Sequence, residues 1–312
     1  MTTTPAQACT SELLAAEQSA PAQALPYHRM MRTHPRYRWW RPLVTALLAA
    51  GIYLGFVLVI VVAGLITITV NPAAEMWINR AFAMDMNDPV TLAGTLAGIA
   101  VMMPAVMIAG RLMRGGGRGL TASVRGGLRW PLLARCLGWA AVVLVPSFAL
   151  LQVWNGQLTL TVDRTAVIML AIVAVLVPFQ SAAEEYAFRG LLMQLVGSWL
   201  RHPVFAIVLP IPLFVIGHNY DVYGLADVAI FAIGVAWLTW KTGGLEAAIA
   251  LHIVNNVAIF AMGAVGLVDL NNTQGSLIGV AITVVTTVAY AWLVATRERA
   301  TATREPDGSY RA

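Results

Sequence analysis

Charge is what this sequence has least of. Only 11% of its 312 residues are Asp, Glu, Lys or Arg, against about 25% in an average soluble domain, which excludes an ordinary water-soluble protein. Cysteine is scarce too. Cys9 in a polar tail and Cys136 at the start of an apolar run cannot build a disulfide framework. The first 41 residues hold no apolar core of the kind a signal peptide needs. No H-E-x-x-H, no G-x-S-x-G and no glycine loop ending in Lys-Ser/Thr occurs, so the zincin, serine-hydrolase and phosphate-loop signatures are absent.

What is present is apolar: 59% of the residues, with a mean hydropathy of +0.73. Apolar runs near twenty residues recur, as in chains whose solvent is the bilayer. Eight spans follow from hydropathy: 43–70, 89–110, 132–152, 165–196, 203–223, 225–241, 244–266 and 276–296. The expected fold is an all-α integral membrane bundle of about eight transmembrane helices around an intramembrane polar site. Residues 1–41 are expected to be a disordered basic tail, 42–297 the membrane domain, and 298–312 a second tail.

Basic residues test that count. With eight spans, 17 Lys and Arg fall on one side and only Arg80 and Arg164 on the other, with Arg189 left inside a span. The positive-inside rule then predicts a multi-pass plasma-membrane protein with both termini cytoplasmic. Arg29, Arg32, Arg36, Arg38 and Arg41 beside Trp39 and Trp40 read as an interfacial anchor. The glycine-rich, basic stretch from Gly110 to Trp130 reads as a loop lying on anionic lipid. The net charge of +5 and pI near 9.6 are thereby accounted for without a nucleic-acid partner.

Some polar residues sit where lipid should exclude them. Span 4 carries Glu184, Glu185 and Arg189 in A-A-E-E-Y-A-F-R-G, and each mid-membrane charge costs roughly 2.5–3.5 kcal/mol. Glu185 and Arg189, four apart, can pair on one helix face. Adjacent helix positions diverge by about 100°, so only one of the two glutamates is expected to face the rest of a site. His218 ends span 5, and His252 and Asn256 lie four apart in span 7. Counting about 1.5 Å per residue from the nearest basic loop puts Glu184, His252, Asn256 and His218 roughly 20, 12, 18 and 24 Å deep. All four can meet at one level. Asp221 and Asp227, six apart on one stretch, make a poor aspartyl dyad; Asp227 is expected to cap span 6, and Glu246 to sit in the first turn of span 7.

E-E-Y-A-F-R, F-V-I-G-H and H-I-V-N-N, in that order on three hydrophobic helices, resemble the CAAX-protease and bacteriocin-processing (CPBP, or Abi) intramembrane proteases. The resemblance covers residues 181–256. It implies an eight-helix architecture, with Glu184 as catalytic glutamate, Glu185, Arg189 and Phe214 in support, and His218, His252 and Asn256 completing the site. It also implies a membrane-associated protein or peptide as substrate, of prenylated CAAX or bacteriocin type. The chemistry needs a base for a water and a donor for an oxyanion. Glutamate-activated water is one route; zinc held by Glu184, His218 and His252 is the other, and the sequence does not choose between them. A non-catalytic membrane scaffold and a transporter or proton relay are the alternatives, since relays also concentrate Glu and His at mid-depth.

Overall fold

The computed structural model describes residues 25–114 and 122–298, with the backbone alone at Arg114. The expected tail and loop positions at residues 1–24, 115–121 and 299–312 lie outside the described residues, Cys9 among them. Seven helices are long and apolar enough to cross a membrane. They are α1 (Arg41–Val70), the pair α3 (Pro89–Ala100) and α4 (Met102–Arg114), α5 (Trp130–Trp154), α6 (Arg164–Glu185) continuing to α7 (Met193–Trp199), α10 (Val222–Thr242), α11 (Glu246–Ala264) and α12 (Leu277–Arg297). A short helix α2 (Glu75–Ala81) follows α1, while α8 (Pro203–Val208) and α9 (Ile211–Val215) lie between α7 and α10.

The eighth expected span is the broken one. Pro210 and Pro212 lack backbone N–H groups and interrupt the helix, so residues 203–223 form α8, α9 and a non-helical stretch in place of one rod. The chain nevertheless changes sides there. Arg201 O meets His28 Nε2 at 3.1 Å, and Ser198 O accepts from Tyr37 Oη at 3.1 Å, on the face where α1 begins. Asp221 N donates to Thr273 O at 3.0 Å, on the face that also joins Met86 N to Asn271 Oδ1 at 2.8 Å. Tyr27 and Glu298 therefore lie on the same face.

The long helices begin differently on the two faces. On the far face α3, α6, α10 and α12 are capped by Asp88, Asp163, Asp221 and Ser276, each side chain accepting a first-turn N–H. Asp221, not Asp227, is thus the cap of α10. The helix starts three residues earlier than hydropathy placed it, and Asp227 lies within it, bonded to Thr283. On the N-terminal face α1, α5 and α11 follow Trp40, Arg129 and Leu245, without side-chain caps.

From Tyr27 to Thr33 the chain forms a 3-10 helix with Tyr27 and His28 buried. It packs against α7 where Gly197 leaves no Cβ; one built there would stand 2.0 Å from His28 O. At the centre, every residue from Glu246 to His252 is buried, and α11 packs on α5, α6 and α10. Tyr290 Oη donates to Ala247 O at 2.9 Å. Glu246 does open α11 as expected, but its partner is 117 residues away. Arg129 Nε and Nη2 donate to its two oxygens at 3.0 and 2.7 Å. Gly243, left-handed at φ 69°, and Gly244 make the close turn that admits this pair.

This ion pair and Arg135–Glu298 should differ in worth. The Glu246 side chain is fully buried, whereas Arg135 is 46% exposed. Arg129→Gln is expected to lower stability by about 3 kcal/mol, because it strands the buried Glu246 carboxylate. Glu298→Gln, which leaves the half-exposed Arg135, should cost less than about 1 kcal/mol. Unfolding midpoints of the two variants in detergent micelles check the order.

Candidate active site

α6 runs inward from the far face and carries Gln180, Glu184 and Glu185 to the middle of the bundle, all three buried. The helix then widens to a π-helical segment, Tyr186–Leu192, a form concentrated at functional sites. Arg189 in this segment still meets Glu185, Nη1 to Oε1 at 3.0 Å. Its guanidinium lies over the Phe214 ring at 4.3 Å, as a desolvated cation favours.

α11 supplies His252, whose two nitrogens face two carboxylates. Nδ1 lies 2.8 Å from Glu185 Oε1, and Nε2 lies 3.3 Å from Glu184 Oε2. The expectation that only one glutamate faces His252 is therefore corrected. The Cα–Cβ directions of Glu184 and Glu185 do diverge, but the ring presents nitrogens on two edges and so bridges carboxylates that point differently. Ionised carboxylates only accept hydrogen bonds, so Nδ1 bears hydrogen toward Glu185. Phe231 and Phe214 stand edge-on to the His252 ring, with centroids 5.2 and 6.4 Å away.

Asn256, one turn beyond His252, donates from Nδ2 to Gln180 Oε1 at 3.1 Å. Gln180 escaped the sequence reading. A lone glutamine in an apolar helix carries no motif, and its position four before Glu184 was the available signal. His218 stands apart from these groups. Its Nδ1 lies 2.9 Å from Phe214 O, its ring packs on Phe214 at 4.9 Å, and it stacks on Tyr220 at 6.1 Å. The carbonyl can only accept, so His218 Nδ1 is the donor and Nε2 is left as an acceptor. Phe214 thus touches Arg189, His218 and His252 together and joins the histidine of the broken span to the charged network.

Among the described residues, no three His, Cys, Asp or Glu side chains cluster to hold a metal ion. Both nitrogens of His252 already face carboxylates, and His218 turns its Nδ1 to the backbone. The set Glu184, His218 and His252 does not fit a metal in this arrangement.

Residues 163–258 match the family of type II CAAX prenyl endopeptidase, Rce1-like proteins. Uncharacterized protein YyaK of Bacillus subtilis (strain 168) is 32% identical over 96 residues, an alignment covering 28% of this chain and 32% of that protein. The chain thus spans about a third of the length of this curated relative. No solved structure matches. The family is one of proteases, and its match begins at the cap of α6 and ends two residues beyond Asn256. Residues 163–258, holding every side chain of the site, are an Rce1-like domain of the CAAX prenyl endopeptidase family.

Proposed function

We propose that this chain is an intramembrane endopeptidase that cleaves membrane-associated proteins or peptides, prenylated CAAX-type or bacteriocin-like, with a water activated by Glu184. The observation that carries this reading is the buried Glu184–His252–Glu185–Arg189 network inside a segment matching a prenyl endopeptidase family. A scaffold needs ion pairs to close. It does not need a carboxylate held against an imidazole beside an amide donor.

The chemistry then runs on this chain's own groups. Glu184 takes a proton from water as the water oxygen attacks the scissile carbonyl carbon. Asn256, through an Nδ2 hydrogen, donates to the oxyanion that forms. The C–N bond breaks as the proton held by Glu184 passes to the departing amine. His252 orients Glu184, and Glu185 with Arg189 fixes the ring. His218, with Nε2 as its acceptor, positions the water or the leaving group. No step calls on a metal.

The membrane domain, 42–297, is read as the catalytic unit in the plasma membrane. The N-terminal face is read as cytoplasmic, since it gathers the arginines. Anionic lipid is the expected partner of that face.

Glu184→Gln keeps size and removes the base, so cleavage of a farnesylated, fluorescence-quenched CAAX peptide should fall by roughly 100-fold or more in a protein that melts as wild type does. Cleavage at the wild-type rate by this variant overturns the assignment and moves the chain toward a scaffold, as does a wild-type protein that cleaves nothing. Glu185→Gln strands Arg189, 3% exposed, and its loss should appear as stability, about 3 kcal/mol by thermal unfolding. Activity should also survive exhaustive chelation; loss on chelation with recovery specific to zinc sinks the metal-free route. Orientation is read separately. Reporters fused after Ala312 and within Gly115–Gly117 should both read cytoplasmic and one at Asn87 external, and an external C-terminus contradicts the assignment of the faces.

A further inference from the structure

Asn256 belongs to a directed chain of amides. Asn255 Nδ2 donates to Asn256 Oδ1 at 3.1 Å, and Asn256 Nδ2 donates to Gln180 Oε1 at 3.1 Å. Gln180 Oε1 also accepts from Ser181 Oγ at 3.3 Å. An amide oxygen has two lone pairs, so two donors saturate this one. Turning the Asn256 amide over would set its Oδ1 against Gln180 Oε1, acceptor to acceptor, and its Nδ2 against the Asn255 amide, donor to donor. Gln180 is 4% exposed, so its oxygen is shielded from water, and an unmet acceptor in such a position is costly. The polarity of Asn256 is therefore set from α6.

One hydrogen on Asn256 Nδ2 remains after the bond to Gln180. Asn256 is half-buried and shares a helix face with His252, so that hydrogen is the group Asn256 can offer to a reacting carbonyl. We infer that Gln180 is a positioning residue, one that makes Asn256 present N–H and not C=O to the developing oxyanion. The inference rests on the reading of Asn256 as oxyanion donor. Because Gln180 precedes Glu184 by one turn, a single stretch of α6 places the base directly and the donor through Asn256. A flipped Asn256 would turn an oxygen toward the oxyanion, which repels the transition state more than the ground state.

The test is a double-mutant cycle read on kcat and KM with the farnesylated CAAX peptide. Gln180→Met keeps the side-chain length and drops the acceptor. It should lower kcat by about tenfold with KM unchanged, less than the 10²–10³ lost when an oxyanion donor is removed outright. Gln180→Glu keeps an accepting oxygen and should recover most of that loss. In the Asn256→Ala background, Gln180→Met should change kcat no further, since its effect passes through Asn256. An equal loss in both backgrounds overturns the inference, as does wild-type kcat in Gln180→Met or a loss carried by KM alone. Should Gln180→Met fail to accumulate folded, Gln180→Ala takes its place in the same cycle. Undiminished cleavage by Asn256→Ala removes the donor role itself. That result differs from active-site loss in Asn256→Ala with an indifferent Gln180, which removes only the positioning role.

Discussion

A carboxylate in hydrocarbon must be matched, and the middle of this bundle is organised around matching two of them. Glu185 is fully buried and receives Arg189 and His252 on one oxygen; Glu184 faces the other edge of the same imidazole. Removing Glu185 or Arg189 leaves its partner as a charge that neither lipid nor the apolar core can solvate. The elements that carry them, α6 with its π-helical continuation and α11, must therefore keep their register. The packing around them follows from that demand. α11 is buried along its whole first half, and Phe214 and Phe231 wall the imidazole so that it cannot rotate away from its partners.

A similar demand is met at the membrane edge by different means. Arg129 closes over Glu246 where α11 begins, and the residues before it bond to the α10–α11 turn, Val124 N to Gly243 O at 2.9 Å and Leu245 N to Ala122 O at 2.8 Å. The basic loop ahead of α5 is thus stapled to the helix that holds His252. Arg129, the last residue before α5, faces inward and fixes the start of the helix that carries His252.

Much of this was legible in the chain. The alternation of arginines anticipated that Tyr27 and Glu298 would share a face, and four-residue spacing anticipated the Glu185–Arg189 pair. Family resemblance fell within the segment that the comparison matched. Features that depend on what lies opposite were not legible. Hydropathy averages over Pro210 and Pro212 and so drew one span where the chain makes two short helices. It also set the start of α10 at Leu225, passing over Asp221, whose capping role rests on backbone geometry. Helical projection treated Glu184 and Glu185 as exclusive choices, because it sees directions and not the two-edged ring between them. Arg129 and Glu246, 117 residues apart, carry no local signal of their pairing.

The broken span also bears on the bilayer itself. Residues 203–215 rise about 20 Å as helix, whereas the hydrocarbon slab is about 30 Å thick. From residue 216 to 221 the backbone is non-helical, and such backbone is tolerated at membrane depth only beside protein or water. Here it is protein that meets it: Ile216 N donates to Pro212 O, Gly217 N to Phe214 O, His218 N to Val215 O and Asp221 N to Thr273 O. His218 sits within that short stretch. The helical ladder thus ends where His218 stands, and its ring hangs on a turn closed by Phe214 O in place of a continuous rod.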